Sequence, residues 1–142
     1  MTTTSLRGTP PTPAATVTVL LGGRAVALAD GVRAALAAGS GRQTLDWRLF
    51  PATGFDEPSF VGPDSVDIAV CDGPSTVRAL RGRWPAATVV ALVAARDDGT
   101  DTVATLKAGA DVSIRGDDAG LVAAYLQSVV RRRGLPAVGA SR

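Results

Sequence analysis

Few side chains in this sequence can do chemistry, and one of them stands apart. Asp72 closes the run Val66-Asp67-Ile68-Ala69-Val70-Cys71-Asp72 and is followed by Gly73-Pro74. A short apolar run that stops at an acid before a turn signal reads as a buried strand whose carboxylate emerges at the strand's C-terminal end. In open α/β sheets that end is where sites form. Gly22-Gly23-Arg24, after another apolar run, brings a guanidinium that could pair bidentately with Asp72 or receive a small anionic ligand.

Other reactive groupings are scarce. The sequence has no histidine, which excludes histidine-based acid–base chemistry and His-ligated metal. Its single cysteine, Cys71, lies inside the apolar run, cannot form an internal disulfide and reads as a small core residue. Gly22-Gly23 lacks the third glycine of the dinucleotide fingerprint and the Lys-Ser/Thr of a P-loop. Arg96-Asp97-Asp98 and Asp117-Asp118 follow apolar runs, where helix capping and first-turn charge explain them better than metal binding does. No nucleophile, base or metal set comes together, so the expectation is a protein that is not an enzyme and needs no cofactor.

Composition bounds the setting. The 142 residues are 46% hydrophobic, a single-domain length with enough apolar content for a real core. Fifteen Lys and Arg against thirteen Asp and Glu leave +2, too small an excess to argue for direct nucleic-acid binding. Arg131-Arg132-Arg133 and Arg142 crowd the C-terminus, as favourable charge at a helix end and a solvated tail would. No run is long enough to cross a bilayer. With a lone cysteine and no basic, apolar, cleavable leader, the expected compartment is the cytoplasm.

The elements that must hold Asp72 can be placed in order. Residues 1–15, rich in Thr and Pro, read as a flexible leader, 16–133 as the folded domain, and 134–142 as a linker or frayed tail. Residues 16–21 are β-rich and end at Gly22-Gly23, giving the first strand. A helix over 25–38 carries Leu28, Val32, Ala35 and Leu36 on one face and stops at Gly39. Residues 44–49 alternate Leu45, Trp47 and Leu49 with polar partners, as an edge strand does. Residues 51–63 carry three prolines and two glycines, so the second helix is short or missing, at most one turn near 55–60.

After the central strand and Asp72-Gly73-Pro74, Ser75 can cap a helix with Val77, Leu80 and Trp84 on one stripe. Residues 88–93 form another apolar strand. A helix over 98–108 turns Val103 and Leu106 inward and ends at Gly109. Residues 112–115 alternate and make a second edge. Asp118 can cap a last helix whose inner face combines Leu121, Val122, Tyr125, Leu126, Val129 and Val130. Trp47 and Trp84 are expected in the core or at its rim.

Strands alternating with helices imply an α/β fold with a parallel sheet covered on both faces. Three apolar strands belong in the centre and two alternating ones at the edges. Right-handed crossovers then give a doubly wound, flavodoxin-like five-stranded sheet in the order 2-1-3-4-5. Gly22, Gly23 and Arg24 line one side of the resulting crevice, and Asp72 and Gly73 the other.

From Val19 onward the chain resembles the receiver domains of two-component response regulators, nearest to those of the LuxR/NarL-type transcription regulators. Val19-Leu20-Leu21-Gly22-Gly23-Arg24 through Gly31-Val32-Arg33-Ala34-Ala35-Leu36 is similar to the family's first strand and helix. The Asp67-to-Asp72 spacing is that of its third strand, so the resemblance places Asp72 on the phospho-accepting aspartate. Trp84-Pro85-Ala86-Ala87-Thr88-Val89-Val90-Ala91-Leu92 and Leu106-Lys107-Ala108-Gly109-Ala110-Asp111 are similar to the fourth strand and the end of the fourth helix.

The rest of the family's pocket is degenerate. Its metal-binding acids fall on Gly23 and Arg24, neither of which can serve a hard cation that needs oxygen ligands. The family's hydroxyl residue falls on Val93. Its lysine falls on Gly116, with only Arg115 in reach by a one-residue shift. The loop after Asp72 is also shortened.

The expectation is therefore an atypical receiver domain acting as a phosphorylation-independent signalling and interaction module in transcriptional or developmental regulation. The family's use of its fourth helix, fifth strand and fifth helix for contacts implies a homodimer or a partner protein on that face. Two other readings stay open. One is a phosphorylatable response regulator with Asp72 as acceptor, and the other is the N-terminal module of a longer DNA-binding or ATPase protein.

Overall fold

The computed structural model describes residues 15–38, 45–52, 65–116 and 118–133. Within them the strands are β1 (Ala15–Gly22), β2 (Leu45–Ala52), β3 (Ile68–Asp72), β4 (Thr88–Val93) and β5 (Val112–Arg115). The helices are α1 (Ala29–Ala38), α2 (Pro74–Arg83), α3 (Thr100–Ala108) and α4 (Ala119–Arg133), with a 3-10 turn, Gly23–Leu28, leading into α1. All neighbouring strands pair in parallel, in the order β2-β1-β3-β4-β5.

The order follows from how each strand distributes its apolar residues. β3 is buried through Cys71 and β4 from Val89 to Val93, so both must sit inside the sheet with a layer on each face. Alternate residues feed two cores. Val17, Val19, Leu21, Ile68, Val70, Val90 and Leu92 meet Val32 and Leu36 of α1 and Val122 and Leu126 of α4. Leu20, Ala69, Cys71, Val89 and Ala91 meet Val77 and Leu80 of α2 and Trp84 beyond it. Each fully buried Val or Leu contributes about 1.5–3 kcal/mol before entropy is charged against it.

Asp67 ties the strands together at the start of β3. Its carboxylate accepts the Thr18 N–H at 2.8 Å, its own N–H donates to the Thr18 carbonyl at 2.9 Å, and its carbonyl accepts the Thr88 N–H at 3.0 Å.

Several boundaries and faces differ from the sequence expectation. The first helix begins as a 3-10 turn rather than as α-helix. β2 runs on through Pro51 to Ala52, which an edge strand tolerates because one of its sides needs no donor. The short turn expected near 55–60, the tail 134–142 and the expected leader 1–15 lie outside the described residues, except for Ala15, which opens β1. Asp117 also falls outside them. α2 starts with Pro74 in its first turn after Gly73, whose φ of 86° proline-type rigidity could not adopt; Ser75 lies inside the helix and does not cap it. The Asp118 cap holds, its Oδ1 accepting the N–H groups of Gly120 at 2.8 Å and Leu121 at 3.3 Å.

The largest correction concerns α3. Val103 and Leu106 are 50% and 43% exposed, while Thr105 is 1% exposed. The ends of so short a helix set its rotation. At the start, Asp97 accepts the N–H groups of Gly99, Asp101 and Thr102 and the Thr102 hydroxyl. On the inner side the Thr105 hydroxyl lies 2.8 Å from the Ser113 hydroxyl of β5 and reaches the carbonyls of Asp101 and Thr102. That satisfied hydroxyl pair turns the apolar residues outward.

In α4, Leu121 is 46% exposed instead of buried. Ala119 is pressed against α1, where a Cβ on Gly31 would stand 2.7 Å from the Ala119 Cβ. At about 100° per residue this contact puts Ala119, Val122, Ala123 and Leu126 on one side and Leu121 on the other. Trp84 is buried, and Trp47 packs partly buried against the first core.

Candidate functional site

Asp72 is the last residue of β3 and its carboxylate turns toward the end of β1. Oδ1 accepts the backbone N–H of Arg24 at 3.1 Å. The close approach depends on Gly23. Its φ is 58°, in the left-handed region, and a Cβ built on it would collide with Oδ1 of Asp72. Glycine thus satisfies two demands at once, a strained backbone angle and empty space for a neighbouring carboxylate.

The expected Arg24–Asp72 guanidinium pair is not what forms. Ion pairs form at Arg33–Asp30, Arg48–Asp46 and Arg81–Asp111, whereas the Arg24 contact with Asp72 is made by the main chain. A backbone donor suits the carboxylate because the 3-10 turn leaves its first N–H groups without internal partners.

A cavity of about 130 Å³ lies beside this contact, lined by Arg24, Asp72, Gly73, Pro74, Leu92, Val93, Ala94, Asp101 and Thr105. The structure thus brings Asp72, Arg24 and Val93 together. Gly23 touches Asp72 from the turn. Arg115, in register with Val93, is exposed and does not line the cavity. Gly116 follows with φ of 92°, and its N–H donates to the Val93 carbonyl at 2.8 Å.

The cavity offers few ligands to a divalent metal: Asp72 and Asp101 are the carboxylates among the described residues that line it. A hard cation requires several oxygen ligands, and among the described residues no three Cys, Asp or Glu side chains gather. A carboxylate at position 23 would also need the volume that Asp72 fills. Asp97 and Asp98 have other work. Partial desolvation pushes the Asp97 carboxyl up, but hydrogen bonds from Asp101, Thr102 and Gly99 outweigh it and hold the group below its ordinary value. Hydrogen bonds from Thr100 do the same for Asp98.

Cys71, beside Asp72 in sequence, points into the opposite core. Burial, helped by the Asp72 charge, pushes its thiol up to about 12. It is therefore a neutral, unreactive thiol at physiological pH.

One polar centre escaped the sequence reading. Arg81 of α2 donates from Nε and Nη2 to the Gly109 carbonyl at 3.1 and 2.7 Å, and from Nη1 to the carbonyls of Pro85 and Ala87 at 3.0 and 2.8 Å. Nη2 also reaches Asp111 Oδ2 at 2.7 Å, and that oxygen accepts the Val89 N–H at 2.8 Å. Gly109 closes α3 with φ of 124°. One guanidinium thus fastens α2 to the loops before β4 and β5. The signal available was Gly109-Ala110-Asp111, read for its likeness and not for the carbonyl and carboxylate it presents.

No protein-family model matches the chain, and no curated protein matches it significantly. Solved structures do. Response regulator ChrA of a heme-sensing two-component system superposes with a TM-score of 0.54 at 20% identity, over 84% of this chain and 58% of that one. A putative pilus assembly protein, CpaE, from Burkholderia thailandensis gives 0.57 at 19% identity, over 81% of this chain and 98% of that one. CetZ from Methanosaeta thermophila gives 0.52 at 13% identity, over 88% and 56%. This chain therefore spans a little over half the length of ChrA. At these identities the likeness is one of fold, and the fold is receiver-like.

Proposed function

We propose that this receiver-like domain is a phosphorylation-independent signalling and protein-interaction module, in which Asp72 acts as a structural latch. The observation that carries this reading is the Gly23–Asp72 contact. The carboxylate occupies the place where a metal-binding side chain on the turn would stand, and it is bonded to the turn's own backbone. A carboxylate that holds the crevice closed does not need a cation or a phosphoryl group to do so.

The contact face of such a module is α3, β5 and α4, the elements expected as fourth helix, fifth strand and fifth helix. Val103 and Leu106 of α3 and Leu121 of α4 are exposed there, and outward apolar side chains support docking of a partner or a second copy. The setting we infer is transcriptional or developmental regulation in the cytoplasm. A place as the regulatory module of a longer DNA-binding or ATPase protein is the alternative reading; the chain spans 58% of the ChrA structure and 98% of the CpaE structure.

Thermal unfolding with and without magnesium plus beryllofluoride, a mimic of aspartyl phosphate, tests the latch. A ligand that binds only the native state raises the midpoint by mass action. An unchanged midpoint is the expected result. A rise of several degrees that vanishes in Asp72→Ala would make the domain a phospho-switch and overturn the reading.

A further inference from the structure

A second cavity, of about 310 Å³, opens between α1 and the edge strand β2, lined by Arg33, Leu36, Ala37, Leu45 and Trp47. Arg33, Leu36 and Ala37 share one stripe of α1 at i, i+3 and i+4 spacing. Leu45 and Trp47 are alternate residues and so point to the same face of β2. Because β2 is the outermost strand, α1 overhangs this face without covering it. Leu45 and Trp47 stay half-buried although they belong to the same core as Leu36. Trp47 pairs with Val17 near the start of β1, so the cavity lies away from Asp72 and the C-terminal ends of the strands.

The lining selects a chemistry. Small-ligand pockets run from roughly 300 to 1,000 Å³ and are mostly apolar with a few polar groups that fix orientation. Among the described lining residues the apolar groups are two leucines, an alanine and an indole, and the charge is the Arg33 guanidinium. Among the described residues that line the cavity there is no acid to attract a cation. A single cationic fork is too little for a polyphosphate, while the volume is too small for a helix about 10 Å across.

Arg33 is also available. Its partner Asp30, 3.3 Å away, is fully exposed, and such surface pairs are weak. We propose that this groove binds a small aromatic acid, its ring against Trp47 and Leu45 and its carboxylate on Arg33. The planar guanidinium matches a carboxylate bidentately, and the indole face matches a flat ring.

The test is a titration of the ¹⁵N-labelled protein with 2-naphthoate, followed through the indole and backbone N–H resonances. Saturable shifts at Trp47 and along α1 are expected, with the Trp84 indole, buried in the other core, unmoved. Arg33→Gln, at an exposed position that leaves the fold intact, should weaken binding roughly tenfold, the scale of one charge-assisted hydrogen bond. The neutral 2-naphthamide should bind the unaltered protein about as weakly and should not respond to Arg33→Gln. Absence of a saturable shift, shifts centred on Trp84 or Gly73, or equal binding of naphthoate by Arg33→Gln would each overturn the proposal.

Discussion

The Asp72 carboxylate fills the volume in which a side chain at residue 23 would stand, and Gly23 is what leaves that volume empty. Two residues far apart in sequence are thereby made interdependent. The acid can accept the Arg24 N–H only because its neighbour on the turn has no Cβ.

Gly23→Ala should destabilise the domain by about 2 kcal/mol, from the left-handed backbone angle and from displacement of Asp72. The double variant Gly23→Ala with Asp72→Ala should recover the steric share. Urea denaturation of the two single variants and the double variant reads the coupling. Strict additivity would mean that the two residues do not meet.

Arg24→Ala and Asp72→Ala should behave differently. The first leaves the backbone donor in place and should change stability by less than about 0.5 kcal/mol, whereas the second removes the acceptor and should cost about 1 kcal/mol. Equal losses in chemical denaturation would restore the guanidinium to the latch.

Arg81→Ala should be among the more damaging single changes outside the apolar core, at roughly 2–4 kcal/mol, because it strips partners from several carbonyls and from Asp111 at once. Arg81→Lys should recover only part of this, since an ammonium cannot span the Gly109 carbonyl and Asp111 as a planar fork does. Thermal midpoints of the two variants make the comparison.

The Asp97 cap predicts an acid-side loss of stability. Its folded carboxyl titrates below its unfolded value, so its contribution is complete above the unfolded value near ~3.9 and disappears as pH falls through the folded one. The stability advantage of the unaltered protein over Asp97→Ala should therefore hold constant from neutral pH down to about 5 and shrink below about 4. Midpoints measured across that range decide it; a constant gap at all pH would remove the charge from the explanation.

Much of the fold was legible in the sequence, because the signals for it are local and repeated. The β1, β3 and β4 stretches are apolar and short, β2 alternates, and Asp118 stands where a cap must. Those patterns, with right-handed crossovers, leave little choice of strand order. The face of α3 was not legible. Val103 and Leu106 have helical spacing and should point inward by that rule alone. Thr105 won the inner position because Ser113 on β5 offers its hydroxyl a partner, and no local pattern reveals a partner on another element.

The sequence by itself determined that this is a doubly wound α/β domain, with Asp72 at the crevice and no acids on Gly23 and Arg24 to join it. Only the tertiary structure decided how Asp72 is held and what holds α2 to its neighbours. The sequence offers Arg24 as an obvious ionic partner, but the chain meets Asp72 with a backbone N–H and with the missing Cβ of Gly23. Arg81 reads as one more surface charge until the loops at Gly109 and Asp111 close around it. Side-chain chemistry can be read along a chain; the positions of main-chain donors, carbonyls and empty volume exist only once distant segments have packed.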